Sequence, residues 1–258
     1  MDNEFKYDIL KMYYCEDYWV TDQIVIHQPT IQQIMDYGES EFWVMVSMLC
    51  ANPTSMRLEL WNKGIDWNKL SDFDLFVMLA GGLSKDSTEI LFGDFDLTKL
   101  KKVKKQISED EEQTVLVYMP NPIIQIDESI YNCMVGYLRA MFDIHPKVEK
   151  ARGKATKEAI IFEEEMNLKI AAKKQKENKW KKSTLFPLIS AAVNHPGFKY
   201  KKNELREVGI VEFMDSVKRL QIYESTTALM TGMYMGMVDL KGMDLKKELN
   251  WTRDLHED

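Results

Sequence analysis

Cysteine is scarce in this chain, and its spacing excludes two kinds of site. The 258 residues include only Cys15, Cys50 and Cys133, which are widely separated and odd in number. No two of them form a Cys-x-x-Cys pair, so the sequence predicts neither a disulfide framework nor a zinc site. We expect a protein that works in a reducing, intracellular compartment.

Long apolar segments are also absent. The longest stretch without a charged side chain, Ser183–Phe198, has 16 residues and contains two prolines. A membrane-spanning helix needs about 20 predominantly apolar residues. The first residues, MDNEFKYDILK, are acidic and lack the hydrophobic region of a signal peptide. The sequence therefore predicts a soluble protein that is not exported and has no membrane partner.

The residue patterns of common enzymes are missing as well. The four histidines are His27, His145, His195 and His256. They lie in different segments, and none has ligand spacing with another histidine or a carboxylate. There is no G-x-S-x-G turn for a nucleophile. Gly81–Thr88 (GGLSKDST) lacks the G-x-x-x-x-G-K-[ST] spacing of a phosphate loop. We expect a protein that is not an enzyme, with no catalytic residue, metal or cofactor.

Two short segments of similar acidic sequence contain the candidate metal site. SDFDLF at Ser71–Phe76 and GDFDLT at Gly93–Thr98 each place aspartates two residues apart. Asp94 and Asp96, with Asp127 further along the chain, could hold a magnesium ion. Aspartates at this spacing are more often helix caps or first-turn acids, and we prefer that interpretation.

The composition itself is that of an ordinary globular protein. Hydrophobic residues make up 45% and charged residues 29% of the chain. This length accommodates one large domain or two small ones. The net charge of −7 argues against nucleic-acid binding by the whole surface.

Strand patterns are confined to the first half of the chain. The strand candidates are Trp19–His27, Glu89–Phe92, Thr114–Met119 and Ile123–Ile126, the last two forming a hairpin. Apolar residues at helical spacing predict helices at Ile31–Met35, Ser40–Cys50, Leu58–Trp61 and Asp72–Leu79, and after Asp127. This pattern predicts a mixed α/β N-terminal domain over residues 1–146.

Residues 147–182 differ in composition from what precedes them. They contain 12 Lys and Arg residues against 6 Glu. The apolar positions form only a narrow stripe, Ala155, Ala159, Phe162, Met166 and Ile170. A long, charged connecting helix that packs through this stripe is the expected structure. A domain boundary is placed at its end.

The remaining residues, 183–258, predict an all-helical C-terminal domain. Ser183 and Pro187 begin one helix, and a second, longer helix begins after Gly209. Its core stripe includes Phe213 and Val217 and, continued at the same spacing, Thr227, Met230, Tyr234 and Met237. The predicted fold class is α+β, with a small sheet or hairpin in the N-terminal part only.

The most informative segment is Met230–Met243, which holds five of the 17 methionines. Methionine is flexible and polarizable, so a Met-rich surface adapts to varied apolar partners. Glycines four residues apart on a helix would let another backbone approach closely. The candidate partner-binding residues are Met230, Gly232, Met233, Met235, Gly236 and Met237. Since Met233 and Met235 fall off the core stripe, we expect them to contact the partner; alternatively, the methionines fill a core.

A basic segment near the end of the connecting helix offers another surface. Its candidate contact residues are Lys173, Lys174, Lys176, Lys179, Trp180, Lys181 and Lys182. Lysines with a tryptophan could contact phosphates and stack on a base. A solvated helix face, or a docking site for an acidic partner, explains the same pattern and is preferred, because nothing else in the chain indicates nucleic-acid recognition.

Three segments together resemble a protein group from the tail-gene modules of phages and prophages of Gram-positive bacteria. They are Ile24–Tyr37 (IVIHQPTIQQIMDY), Phe142–Asn167 and Phe186–Glu224. Members are similar to tail assembly chaperones, which coat the long helical tape measure protein before the tail tube polymerises around it. The resemblance implies binding to the tape measure protein or other tail proteins in the cytoplasm of the bacterial host cell, and it carries no active site. The Met-rich face itself predicts self-association or binding to amphipathic helices of that client.

Two other functions fit the same sequence. One is a structural component of the virion, such as a baseplate or tail-tip subunit. The other is a nucleic-acid-associated phage protein that uses the basic segment.

Overall fold

The computed structural model describes residues 6–108, 111–177, 183–237, 241 and 243–255. Within them, helices dominate and the strands form two small antiparallel sheets, so the protein belongs to the predicted α+β class. The helices are α1 (Ile9–Tyr13), α2 (Ile31–Tyr37), α3 (Glu39–Leu49), α4 (Arg57–Asn62), α5 (Asp72–Leu79), α6 (Lys85–Phe92), α7 (Glu128–Met141), α8 (Lys154–Glu177), α9 (Leu185–Asn194), α10 (Ile210–Tyr234) and α11 (Leu245–Glu248). The strands are β1 (Tyr18–Thr21), β2 (Ile24–Ile26), β3 (Leu100–Ser108), β4 (Glu111–Tyr118) and β5 (Gln125–Ile126).

Contacts divide the chain into two compact units. The first is drawn from residues 1–29 and 33–182, and the second from residues 30–32 and 183–258. Helix α8, predicted as a connector, therefore groups with the N-terminal elements.

The first sheet of the N-terminal unit is a hairpin. Strands β1 and β2 pair antiparallel, with Tyr18 opposite Ile26. Ile24 and Ile26 are completely buried, as expected for alternate residues on the inner face of a strand. The alternation over Trp19–His27 thus marks two short strands instead of one.

The second sheet and helix α6 differ from the strand predictions in two places. Its order is β3-β4-β5, and β3 was not predicted because its sequence, LKKVKKQIS, is dominated by lysine. The β4–β5 pairing confirms the predicted hairpin. The strand predicted at Glu89–Phe92 is wrong: these residues end α6, which Ser84 caps and which buries Thr88, Leu91 and Phe92 at helical spacing.

The helical core of the first unit follows the predicted periodicity. Helix α7 buries Tyr131, Met134, Leu138 and Met141 on one face. Its Arg139 donates hydrogen bonds to the backbone carbonyls of residues 50 and 51 and to the Asp72 carboxylate, which ties α7 to α3 and α5. Ser71 caps α5 by accepting a hydrogen bond from the Asp74 amide.

Helix α8 packs through a face that the sequence did not indicate. Ile161 is only 4% exposed and lies in a cluster with Leu58, Leu60 and Trp67. The predicted packing stripe, by contrast, faces solvent, and Phe162 is 66% exposed. Both sets of residues have helical spacing, so periodicity alone does not tell which face packs.

The second unit is helical. Ser183 accepts a hydrogen bond from the Phe186 amide at the start of α9. Ile210, Phe213 and Val217 are the buried face of α10 near its start. Thr226, further along α10, donates to the backbone carbonyl of Glu248 in α11, so the C-terminal segment folds back on α10.

Across the part of the chain that the structure describes, no helix combines the length and apolar character that a membrane crossing requires.

Candidate functional site

The Met-rich segment lies at the C-terminal end of α10, where the helix is closed by a Schellman motif. The amide of Met237 donates to the carbonyl of Gly232 over 2.9 Å, and the amide of Gly236 donates to that of Met233 over 3.0 Å. Gly236 has a φ of +67°, the left-handed conformation that this motif requires and that glycine adopts without steric cost. Gly236 therefore ends the helix and does not form a close-approach strip with Gly232, which corrects the expectation from their spacing.

Exposure of the methionines also differs from the predicted stripe. Met235 is 64% and Met237 78% exposed, whereas Met233 is half-buried and Met230 is at the margin of exposure. Tyr234, which the sequence placed in the core, is 85% exposed. Within α10, Thr226 is the only buried residue after Val217. At 100° per residue it lies on the opposite side of the helix, so the stripe that buries Phe213 does not continue to the end of the helix.

Four exposed residues at this helix end are grouped here as the methionine surface: Met230, Tyr234, Met235 and Met237. They belong to the last two turns of α10 and the residues just after it. Thioether side chains with three rotatable bonds can repack against an incoming apolar surface, and an exposed aromatic ring adds contact area. The arrangement suits binding of an apolar helix or strand and provides no group for acid–base or nucleophilic chemistry.

The basic segment is only partly described. Lys173 and Lys174 are exposed on α8, and Lys176 lies within the same helix. The positions predicted for the rest of the surface, Lys179, Trp180, Lys181 and Lys182, lie outside the described residues. Whether the lysines and the tryptophan share one face therefore stays a prediction.

A second basic surface was missed by sequence reasoning. Lys101, Lys102, Lys104 and Lys105 are all exposed on β3, at the free edge of the three-stranded sheet. Lys104 is paired with Glu112 across the hairpin, and this hydrogen bond raises the pKa of the lysine. The signal was present as five lysines in Lys99–Lys105, but a lysine-rich run gives no indication of strand structure. Lysines on an edge strand also prevent edge-to-edge aggregation.

Ion pairs fix the packed face of α8. Lys157 lies 2.6 and 2.7 Å from the two carboxylate oxygens of Asp66, and its hydrogen bonds hold the pKa of that carboxyl below its usual range. Arg57 contacts Glu164 at 2.6 Å and Glu149 at 2.9 Å. The hydrogen bond to Glu164 is the main cause that raises the pKa of the Arg57 guanidinium.

The residues of these same ion pairs line two open clefts beside α8. One, of about 410 Å³, is lined by Asp66 and Lys157 among others, and the other, of about 590 Å³, by Arg57 and Glu164. These charged groups are already paired inside the protein, so neither ion pair is available to bind a small molecule.

The three candidate magnesium ligands have separate structural roles. Asp94 is almost fully exposed and pairs with Lys85 at 2.8 Å. Asp96 and Asp127 each accept a hydrogen bond from a backbone amide at the start of a helical turn, which confirms the capping interpretation. Among the described residues, no group of three potential ligands comes together.

Cysteine chemistry is suppressed by burial. Cys50 is buried in α3's C-terminal turn, and desolvation raises the pKa of its thiol to about 12. Burial also raises the pKa of Cys133. Since the thiolate is the reactive form, neither residue is poised as a nucleophile at neutral pH.

No protein-family model matches the chain, and no curated protein and no solved structure is significantly similar to it.

Proposed function

We propose that this protein is a phage tail assembly chaperone that binds the tape measure protein and keeps it soluble during tail morphogenesis. The observation that carries the proposal is the methionine surface, an exposed cluster of adaptable apolar side chains at a helix end. The three segments similar to the tail-module group supply the identity of the client.

The chemistry of the surface fits such a client. A tape measure protein is long and helical, so before the tail tube encloses it, it presents repeated apolar helix faces to solvent. Unbranched methionines bind apolar faces of different shape without a fixed pocket, as other helix-binding proteins do. Burial of each methionine on binding contributes about 1.5–3 kcal/mol.

Co-expression tests the proposal. The protein and the tape measure protein from the same tail-gene module are produced together, and the soluble fraction is compared with that of the tape measure protein alone. We expect the protein to increase the soluble yield of the client and to co-purify with it. Unchanged solubility without co-purification contradicts the proposal.

Purified virions distinguish a chaperone from a structural subunit. A chaperone leaves before the particle is complete, so we expect mass spectrometry of purified virions to find the tape measure protein without this chain. Stoichiometric amounts of the chain in virions would establish the baseplate or tail-tip alternative instead.

The lysines of β3 favour a nucleic-acid-associated protein as the second candidate. Lys101, Lys102, Lys104 and Lys105 form an exposed basic edge within a chain of net charge −7. If they contact phosphates, affinity for double-stranded DNA falls steeply as salt rises, and each lost contact reduces that dependence by about one counterion. Two double variants, Lys101→Gln with Lys105→Gln and Lys173→Gln with Lys174→Gln, locate the contact. The variant with the smaller salt dependence of DNA affinity identifies β3 or α8 as the element that contacts the phosphates.

A further inference from the structure

The exposed side of α8 carries an unpaired apolar stripe. Phe162, Met166 and Ile170 follow each other at intervals of four residues, and all three are exposed, together with Ala155 and Ala159 at the same helix face. We call these five residues the α8 stripe. An exposed apolar stripe of this length on a helix is typical of a surface that another helix covers.

The α8 stripe points away from the body of its own unit. Lys157, Ile161 and Glu164 contact the N-terminal elements through Asp66, Trp67 and Arg57. At 100° per residue, these three positions lie on the side of the helix opposite Met166. The packing of α8 on its unit therefore leaves the stripe accessible.

The second half of α8 has no buried residue among its described side chains. From Met166 to Lys174, each residue of the helix is exposed. Short helical segments are marginal in water without tertiary contacts. A partner along this half would supply the missing contacts.

Charge along the helix changes sign near residue 167. Before that point the helix has four glutamates (Glu158, Glu163, Glu164 and Glu165) against two lysines (Lys154 and Lys157), and after it four lysines (Lys169, Lys173, Lys174 and Lys176) against Glu177. A helix with an acidic first half and a basic second half is complementary to a copy of itself running in the opposite direction. A parallel copy would place like charges beside each other instead.

We infer that α8 pairs with α8 of a second copy of the chain, antiparallel, through the α8 stripe. A two-fold axis beside residue 167 packs Met166 against Met166 of the second copy. It also sets Glu165 opposite Lys169 of the second copy and brings Glu163 within reach of Lys174. The α8 stripe shares no residue with the methionine surface, so the inference does not depend on the proposed function.

Sedimentation equilibrium of the full chain tests the pairing. We expect a dimer whose dissociation constant rises at least about tenfold in Met166→Lys, because each dimer loses two buried methionines. Met78→Lys, a change at a half-exposed methionine of α5, is the control and should leave the dimer intact. Circular dichroism verifies that both variants fold. A wild-type protein that stays monomeric at high concentration, or a Met166→Lys variant as dimeric as the wild type, overturns the inference.

Charge reversal tests complementarity. One variant carries Glu163→Lys and Glu165→Lys, and the other carries Lys169→Glu and Lys174→Glu. Each alone should be mainly monomeric, since its two helices repel, and an equimolar mixture should form a heterodimer. Variants that dimerise alone as well as they do in the mixture contradict the pairing.

Disulfide cross-linking tests orientation. An antiparallel pair brings Phe162 near Ile170 of the second copy and separates the two Phe162 positions by more than two helical turns. Oxidation of mixed Phe162→Cys and Ile170→Cys chains should therefore give a cross-linked heterodimer, whereas Phe162→Cys alone should give no more than the wild type with its own three cysteines. Efficient self-cross-linking of Phe162→Cys would indicate a parallel pair and overturn the inference.

Discussion

The amide of Met237 donates a hydrogen bond to the carbonyl of Gly232 over 2.9 Å, and this bond closes the last turn of α10. The chain reverses at Gly236, which has a left-handed backbone conformation. Two strongly exposed methionines, Met235 and Met237, flank that glycine. The geometry of the helix end thus determines how the methionine surface is presented.

The glycine at this helix end should be sensitive to substitution. Gly236→Ala requires a left-handed alanine, which costs about 1–2 kcal/mol, although no neighbouring atom would contact the new methyl group. We expect this loss in the free energy of unfolding measured with urea. Gly82→Ala, at an equally open position without positive φ, is the control and should change stability by less. Equal effects of the two substitutions would refute the role assigned to Gly236.

The packed face of α8 should be distinguishable from its exposed positions by alanine substitution. Ile161→Ala removes a buried side chain and should cost about 2–5 kcal/mol. Leu168→Ala, at a position 53% exposed on the same helix, should cost at most about 0.5 kcal/mol. Urea denaturation of the two variants measures both values. A larger loss in Leu168→Ala than in Ile161→Ala would mean that the packing of α8 is different.

The Asp66–Lys157 pair predicts a pH dependence of stability. Hydrogen bonds from Lys157 lower the pKa of Asp66 from its ordinary value of 3.8, so the unfolded chain binds this proton at a higher pH than the folded one. The stabilisation is therefore fully present above pH 3.8 and is lost as the pH falls through the lower pKa of the folded state.

Denaturation curves between pH 2 and 6, a range of about two units around that value, measure this effect. Asp66→Asn and Lys157→Gln should each remove the same part of the pH dependence, and the double variant should remove no more. Additive losses in the double variant would show that the two groups titrate independently.

Cys50 should be protected from alkylation in the folded protein. Its thiol is buried, and its pKa is raised to about 12, so almost no thiolate exists at pH 8. Iodoacetamide followed by mass spectrometry should modify Cys50 slowly in native protein and rapidly in urea. Comparable rates in both states would contradict the burial of this residue.

Sequence periodicity predicted the elements with a clear apolar face and failed where two interpretations were equally periodic. Helices α3, α5, α7 and α10 lie where spacing of apolar residues placed them. Strand β3 was not predicted because Lys101–Lys105 has the composition of a solvated loop or helix. Its strand conformation depends on pairing with β4. For α8, Ile161 and Phe162 are adjacent apolar residues on different faces, and the choice between them depends on tertiary contacts.

The candidate site illustrates the same limit. The methionines were evident in composition, but Tyr234 and Met237 were expected in the core and are exposed. The position of Gly236 as a helix cap depends on where α10 ends, and sequence patterns place element boundaries poorly.

The most direct test of the proposed function is the affinity of the protein for an amphipathic helical peptide from the tape measure protein, measured by isothermal titration calorimetry. Exposed methionines contribute to binding but little to folding, so the double variant Met235→Ser with Met237→Ser should keep its unfolding free energy within about 0.5 kcal/mol.

The control is the double variant Met35→Ser with Met78→Ser, which removes two half-exposed methionines from the first unit. We predict that the Met235→Ser, Met237→Ser variant binds the peptide at least about tenfold more weakly than the wild type, since each lost burial is worth more than 1 kcal/mol, and that the control binds as the wild type does. A folded Met235→Ser, Met237→Ser variant with wild-type affinity would contradict the assignment of the methionine surface as the client-binding site.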